Sequence, residues 1–161
     1  IHYGAGSTLQ YHELIVAPAL VRLGWRMGAW ISHIYVDSEM SMLAGREIWG
    51  LPKQLAAFHW SGAGAEPHMN NLRVAVKVKR STLAACLPLF GPIFGSDAHV
   101  LKWSIASGSA ALRRVPGRLD VSGGDFDALG FDRVHAFYRL ESFRLTMKAP
   151  RLEVARAQAR K

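Results

Sequence analysis

The sequence predicts a mainly β fold of the α+β kind, an antiparallel, barrel-like sheet with short flanking helices. Three observations carry this. Several stretches concentrate or alternate β-branched and aromatic residues, only one segment has helical periodicity, and Gly- and Pro-rich connections separate them. Closing such a sheet would remove exposed edges and leave an interior pocket. The 161 residues suggest one domain over 1–150, followed by a basic tail at 151–161.

The elements follow in order. LQYHELIVA (9–17) and AWISHIYVD (29–37) read as strands. DSEMSMLAGREI (37–48) breaks that pattern. Asp37 or Ser38 can cap a helix start, and Met40, Leu43 and Ala44 share a helical face. Gly45 weakens the later part, so one or two helical turns are expected, then a turn through Trp49-Gly50-Leu51-Pro52. Pro52 fixes its own φ and disfavours helix at Leu51, so Lys53 leaves a constrained backbone. GAGAEPHMNN (62–71) reads as a surface connection. Leu72, Val74, Val76 and Val78 then alternate with Arg73, Lys77 and Lys79 as in a half-buried strand. LPLFGPIFG (87–95) reads as an apolar loop covering a core edge, a pocket or a neighbouring subunit. HVLKWSIAS (99–107) and VHAFYRLESFRLTMKA (134–149) read as strands, the second with a bend, and VPGRLDVSGGDFDALGFD (115–132) as a surface connection.

Composition narrows the function classes. Half the residues are hydrophobic and a fifth charged, which excludes a disordered chain. No apolar run reaches the length of a membrane span. The net charge of +8 raises nucleic acid, an acidic surface or an anionic small molecule as partners. The basic residues are dispersed and no nucleic-acid motif occurs, so no nucleic-acid partner is expected. The single cysteine, Cys86, excludes an intrachain disulfide and reads as a small buried hydrophobe in a reducing, cytoplasmic setting. The chain opens on Ile1 and carries no signal pattern, as expected of a processed or truncated N-terminus.

The chemistry is sought among motifs and lone residues. No GxSxG, HExxH, CxxC, P-loop or GxGxxG in its strand–helix context is present. The seven histidines are scattered and no pair has helical ligand spacing, so no metal is expected. Lys53 stands out in GREIWGLPKQLAAF (45–58), among Trp49, Leu51, Leu55 and Phe58. A desolvated lysine favours its neutral amine, which can attack a ketone and form a Schiff base. The plainer reading is a lysine snorkelling from an apolar strand edge.

The stretch YVDSEMSMLAGREIWGLPKQLAAF (35–58) resembles the signature of the acetoacetate decarboxylase superfamily, Gly-Arg-Glu followed at a fixed interval by Pro-Lys. Gly45-Arg46-Glu47 and Pro52-Lys53 match it. The resemblance implies a cone-shaped β-barrel and makes Lys53 the Schiff-base residue. It points to Glu13, in YHEL (11–14), as an acid near the pocket. LPLFGPIFG, LKWSIASGSA and FYRLESFRLTMKAP are similar to the branch containing the plant neoxanthin-deficient protein and bacterial relatives. Gln54 stands where decarboxylases carry a second lysine, and PALVRLGWRMG (18–28) is short and lacks an acid.

The resemblance implies a Schiff-base-forming lyase acting on a small β-keto acid or related carbonyl compound, without metal or organic cofactor, and a homo-oligomer. Arg46 and Glu47 would position Lys53 or tune its charge, or form a structural ion pair. Arg46 is also the available partner for a substrate carboxylate. Glu13 would line the pocket or face solvent, and Trp49 and Phe58 would contact substrate or pack. The alternative is a non-catalytic barrel binding a hydrophobic or carotenoid-like ligand.

Overall fold

Residues 1–55 build the part of the fold that carries Lys53. Strands β1 (His2–Tyr3), β2 (Tyr11–Val16), β5 (His33–Val36) and β6 (Lys53–Leu55) form a sheet in the order β1-β2-β5-β6. The first two pairings are antiparallel, whereas β5 and β6 run parallel. A parallel pair needs a crossover. Helix α1 (Glu39–Trp49) supplies it. Between β2 and β5 the chain makes the antiparallel pair β3 (Ala19–Leu23) and β4 (Arg26–Trp30). The structure is a computed structural model and describes residues 1–61, 64–69, 72–78, 85–97, 100–122 and 136–154.

The chain divides into two compact units. One comprises Ile1–Leu55, Phe90–Ser107 and Thr146–Lys161, the other Ala56–Leu89 and Gly108–Leu145. Within the first unit, β4 also pairs in parallel with Ile93 and Phe94 of β10 (Ala85–Asp97), of which residues from Phe90 on belong to this unit, and β11 (Val100–Val115), which belongs to it as far as Ser107, follows β10 in that sheet. Its outer neighbour there is β14 (Arg151–Val154). The core of this unit gathers Ile31, Ile34, Val36 and Leu51, with Tyr11, Met42, Trp49 and Met147 packed against it.

The second unit holds β7 (Ala57–Ser61), β8 (Gly64–Met69), β9 (Leu72–Val78) and β12 (Gly117–Ser122), in the order β12-β9-β8-β7 with antiparallel pairings. It also contains most of β13 (Phe137–Met147). There the backbones come close: a Cβ on Gly108 would lie 1.9 Å from the Arg144 carbonyl oxygen.

The mainly β expectation holds, with α1 the one helix among the described residues. Their strands pair in three sheets, and closure into a barrel is not among those pairings. Several elements differ from the sequence reading. AWISHIYVD is not one strand, because β4 and β5 belong to different sheets and the Ser32 amide between them turns to the Val16 carbonyl. The segment 87–95 is strand rather than loop. It is apolar because Phe94 is almost fully buried, and Gly28 lets the Pro92 carbonyl approach where a Cβ would clash. Within the expected connections at 62–71 and 115–132 lie β8 and β12. The tail contributes β14, and residues 155–161 lie outside the described residues. The bend expected in 134–149 has a counterpart at Ser142, whose φ is 50°.

Candidate active site

Helix α1 is built around Lys53. Ser38 caps its start, its side chain accepting from the Ser41 amide at 3.2 Å, and Glu39 complements the positive end. The helix does not stop at Gly45 but runs to Trp49, ending on Gly50 in the left-handed region at φ 64°. The Gly50 and Leu51 amides return to the Arg46 and Gly45 carbonyls, which completes the C-cap. A further helix-end carbonyl, that of Glu47, accepts from the buried Lys102 amine at 2.7 Å. A cation is favoured at this negative helix end.

Glycine suits position 45 because the space beside it is occupied. A Cβ there would lie 2.4 Å from Lys53 Cδ and 2.7 Å from Cε. The lysine stem therefore lies against a helix face opened by Ser41 and Gly45, four residues apart. Lys53 itself is buried.

Strand register brings the amine to its partners. Glu13 on β2 stands opposite Val36, and Lys53 on β6 stands opposite Ile34, so both flank the same central strand β5. Residues directly opposite one another share a sheet face, and alternate residues along a strand do too. Tyr3, Tyr11, Glu13 and Lys53 consequently face one side. Lys53 Nζ lies 2.7 Å from Glu13 Oε1 and donates to Ser41 Oγ at 3.0 Å, with the Tyr11 ring centroid at 5.2 Å. The Tyr3 hydroxyl donates to Glu13 Oε2 at 3.0 Å, and its ring stacks on Tyr11 at 4.6 Å. Burial first, then the Glu13 charge and the neighbouring Tyr11, push the Tyr3 phenol far above its usual range, so it remains a donor.

The other expected residues have distinct places. Arg46 donates from Nε to the Lys53 carbonyl at 2.6 Å and fixes the backbone beneath the lysine. Glu47 is exposed, and its carbonyl meets Lys102; it does not pair with Arg46. Trp49 donates to the Lys148 carbonyl at 3.1 Å and packs on the core. Phe58 is half-buried in β7 of the second unit. A cleft of about 470 Å³ is lined by Arg46 with Trp30, Ile31, Ser32, Leu51 and Pro52 among others, but not by Lys53. Ser41, Tyr3, Tyr11 and Lys102 were not expected from the sequence. Small residues four apart on one helix face were the available signal for Ser41; the tyrosines needed strand register.

The sequence profile of the acetoacetate decarboxylase family matches residues 1–86, more than half of the chain. The chain belongs to the acetoacetate decarboxylase family. Solved structures agree in fold. An acetoacetate decarboxylase from Legionella pneumophila is similar with a TM-score of 0.63 and 17% identity, over 90% of this chain and 67% of that one. A second structure, from structural studies of acetoacetate decarboxylase, gives 0.57 and 16%, over 90% and 68%. The enduracididine biosynthesis enzyme MppR with HEPES buffer bound gives 0.54 and 18%, over 90% and 65%. This family member thus spans about two thirds of each neighbour, and at these identities the likeness carries the fold alone. No curated protein matches the chain.

Proposed function

We propose that the chain is a lysine-dependent, decarboxylase-like lyase acting on a small β-keto acid or a related carbonyl compound. The observation that carries this reading is the buried Lys53 amine held between Glu13 and Ser41. It supports Lys53 as nucleophile and Glu13 as its proton acceptor, because the two share one short hydrogen bond. Acetoacetate decarboxylase is itself the familiar case of a lysine activated by a second cation. Here Gln54 follows Lys53, and the groups at the amine are the Glu13 carboxylate, the Ser41 hydroxyl and the Tyr11 ring.

The chemistry follows from the donor set. Glu13 takes a proton from the ammonium, and the neutral amine adds to the ketone carbon, displacing the Ser41 hydroxyl. Glu13 returns its proton to the carbinolamine oxygen, and loss of that oxygen as water leaves a protonated imine. The bond to the carboxylate breaks, carbon dioxide leaves, and the electron pair moves to the imine nitrogen as an enamine. A proton returns to carbon, and water releases the ketone and the amine. Tyr3 holds Glu13 in place through its second oxygen. Arg46 is the proposed partner of the substrate carboxylate, with Glu47 and Trp49 as further site residues.

The same reading includes a cone-shaped barrel, a homo-oligomer and a cytoplasmic setting. Placement in the branch with the neoxanthin-deficient protein rests on segments 87–95, 101–110 and 137–150. The Arg46 cleft, which lacks the amine, favours a second reading: a binding protein for a hydrophobic or carotenoid-like ligand.

Carbon dioxide release from a panel of small β-keto acids separates them. The lyase reading expects turnover that Lys53→Ala abolishes and Glu13→Gln lowers by ~100-fold or more, the range for a positioned proton-transfer group. A folded Lys53→Ala variant with full turnover would overturn it.

A further inference from the structure

The first sheet has a second constellation on the face away from Lys53. Register sets His2 opposite His12 and Tyr3 opposite Tyr11. On the other side of β2, Glu13 stands opposite Val36, so His12 falls level with Asp37 just beyond β5. Alternation then sends His2, His12 and Asp37 to one face, while Tyr3, Tyr11 and Glu13 take the other. The row is three strands wide and its members come from widely separated stretches of sequence.

Its geometry is specific. His2 Nδ1 lies 2.8 Å from His12 Nε2, with ring centroids 4.7 Å apart and planes tilted by 31°. Asp37 grips His12 twice. Oδ1 accepts the backbone N–H at 2.7 Å, and Oδ2 meets ring Nδ1 at 2.6 Å. A carboxylate on Nδ1 holds the ring proton there and leaves the lone pair on Nε2, directed at His2. Carboxylate–histidine–metal arrays orient and enrich a ligand in this way. All three residues lie at the surface or half-exposed, so the pair is open to solvent ions.

We propose that His2 Nδ1 and His12 Nε2 form a two-nitrogen site for a divalent transition-metal ion, with Asp37 as the orienting carboxylate behind His12. Two nitrogens each ~2.0–2.1 Å from an ion and at right angles to one another lie about 2.9 Å apart. The observed pair is close to that spacing. Tetragonal nitrogen coordination selects Cu²⁺ or Ni²⁺, and Cu²⁺ binds most tightly in the first-row series. No group of three or more His, Cys, Asp or Glu side chains suited to a metal occurs among the described residues, so water completes the coordination. The ion lies to one side of the line between the two nitrogens, with each ring turned so that its lone pair faces it, and the proton of His2 Nδ1 moves to His2 Nε2 through solvent. Bound there, it clamps the two-residue strand β1 to β2. The site is independent of the chemistry at Lys53.

Calorimetric titration of the protein with CuSO₄ and NiCl₂, with electron paramagnetic resonance of the Cu²⁺ form, tests the site. The expected result is one ion per chain with two imidazole nitrogens in the copper spectrum. His2→Ala and His12→Ala abolish it, Asp37→Asn weakens it ~10–100-fold, and His59→Ala in the second unit leaves it unchanged. His12→Gln, which keeps a polar group between His2 and Asp37, replaces His12→Ala if circular dichroism shows that variant unfolded. No one-to-one binding, or binding that survives the His12 substitution, overturns the proposal.

Discussion

Gly45 and Lys53 are best understood as one feature. Glycine costs an exposed helix about 1 kcal/mol relative to alanine, so Gly45→Ala on propensity alone would stabilise the protein. The methyl group it adds would lie 2.4 Å from Lys53 Cδ, which reverses that sign. Overpacking of this kind costs ~1–3 kcal/mol, and urea denaturation should show Gly45→Ala less stable than the parent. The Lys53–Glu13 pair makes a second prediction. Removing one partner strands the other charge in a buried setting, which typically costs ~3–5 kcal/mol. Lys53→Met and Glu13→Leu should each show that loss by chemical denaturation, and the double variant should recover much of it. A double variant that loses the sum of the two single losses would mean the two charges are not coupled.

Helix α1 is the element that turns a parallel strand pair into a site. Its start depends on Ser38, and Ser38→Ala should cost about 1 kcal/mol in thermal or urea unfolding. Its end depends partly on Lys102, whose buried amine satisfies the Glu47 carbonyl. Lys102→Met removes that donor, with an expected loss of ~1–3 kcal/mol, measured the same way. Much of this element was legible in the sequence: the Ser38 cap, the turn at Gly50 and the constrained entry to Lys53 all follow from residue type. Its length was not, because Gly45 reads as a breaker until the lysine stem beside it is known. The strand in 87–95 was hidden for a related reason. Its prolines and glycines mark a loop locally, while Gly28 accommodates the Pro92 carbonyl from a distant strand. Glu13 and Lys53 were legible through their motifs, but their partners Tyr3, Tyr11 and Ser41 depend on register and helix face. The His2–His12–Asp37 row escaped for the same reason, since helical spacing does not describe a cross-strand pair.

At the scale of the whole molecule, charge and pH set the behaviour. The chain carries +8 at neutral pH, so acidification adds to an existing positive excess. Asp37 gives this a specific handle. Burial alone would raise its carboxyl, but the hydrogen bonds from the His12 backbone and ring outweigh that and hold it below the usual value of 3.8. A depressed folded value means that the unfolded chain takes up the proton first. The stabilisation is therefore complete above 3.8 and is lost as pH falls through that value and the lower folded one. Urea midpoints followed through this window should fall with pH in the parent and fall less in Asp37→Asn. Identical slopes would mean that Asp37 does not contribute.

The central claim is that the Lys53 amine forms a covalent adduct with a keto acid. Incubation of the native protein with acetoacetate and other small keto acids, reduction with borohydride and peptide mass mapping tests it directly. The expected result is a mass increase on the peptide containing Lys53, absent from Lys53→Ala and reduced in Glu13→Gln. An unmodified Lys53 across the whole panel, with the protein folded throughout, would contradict it.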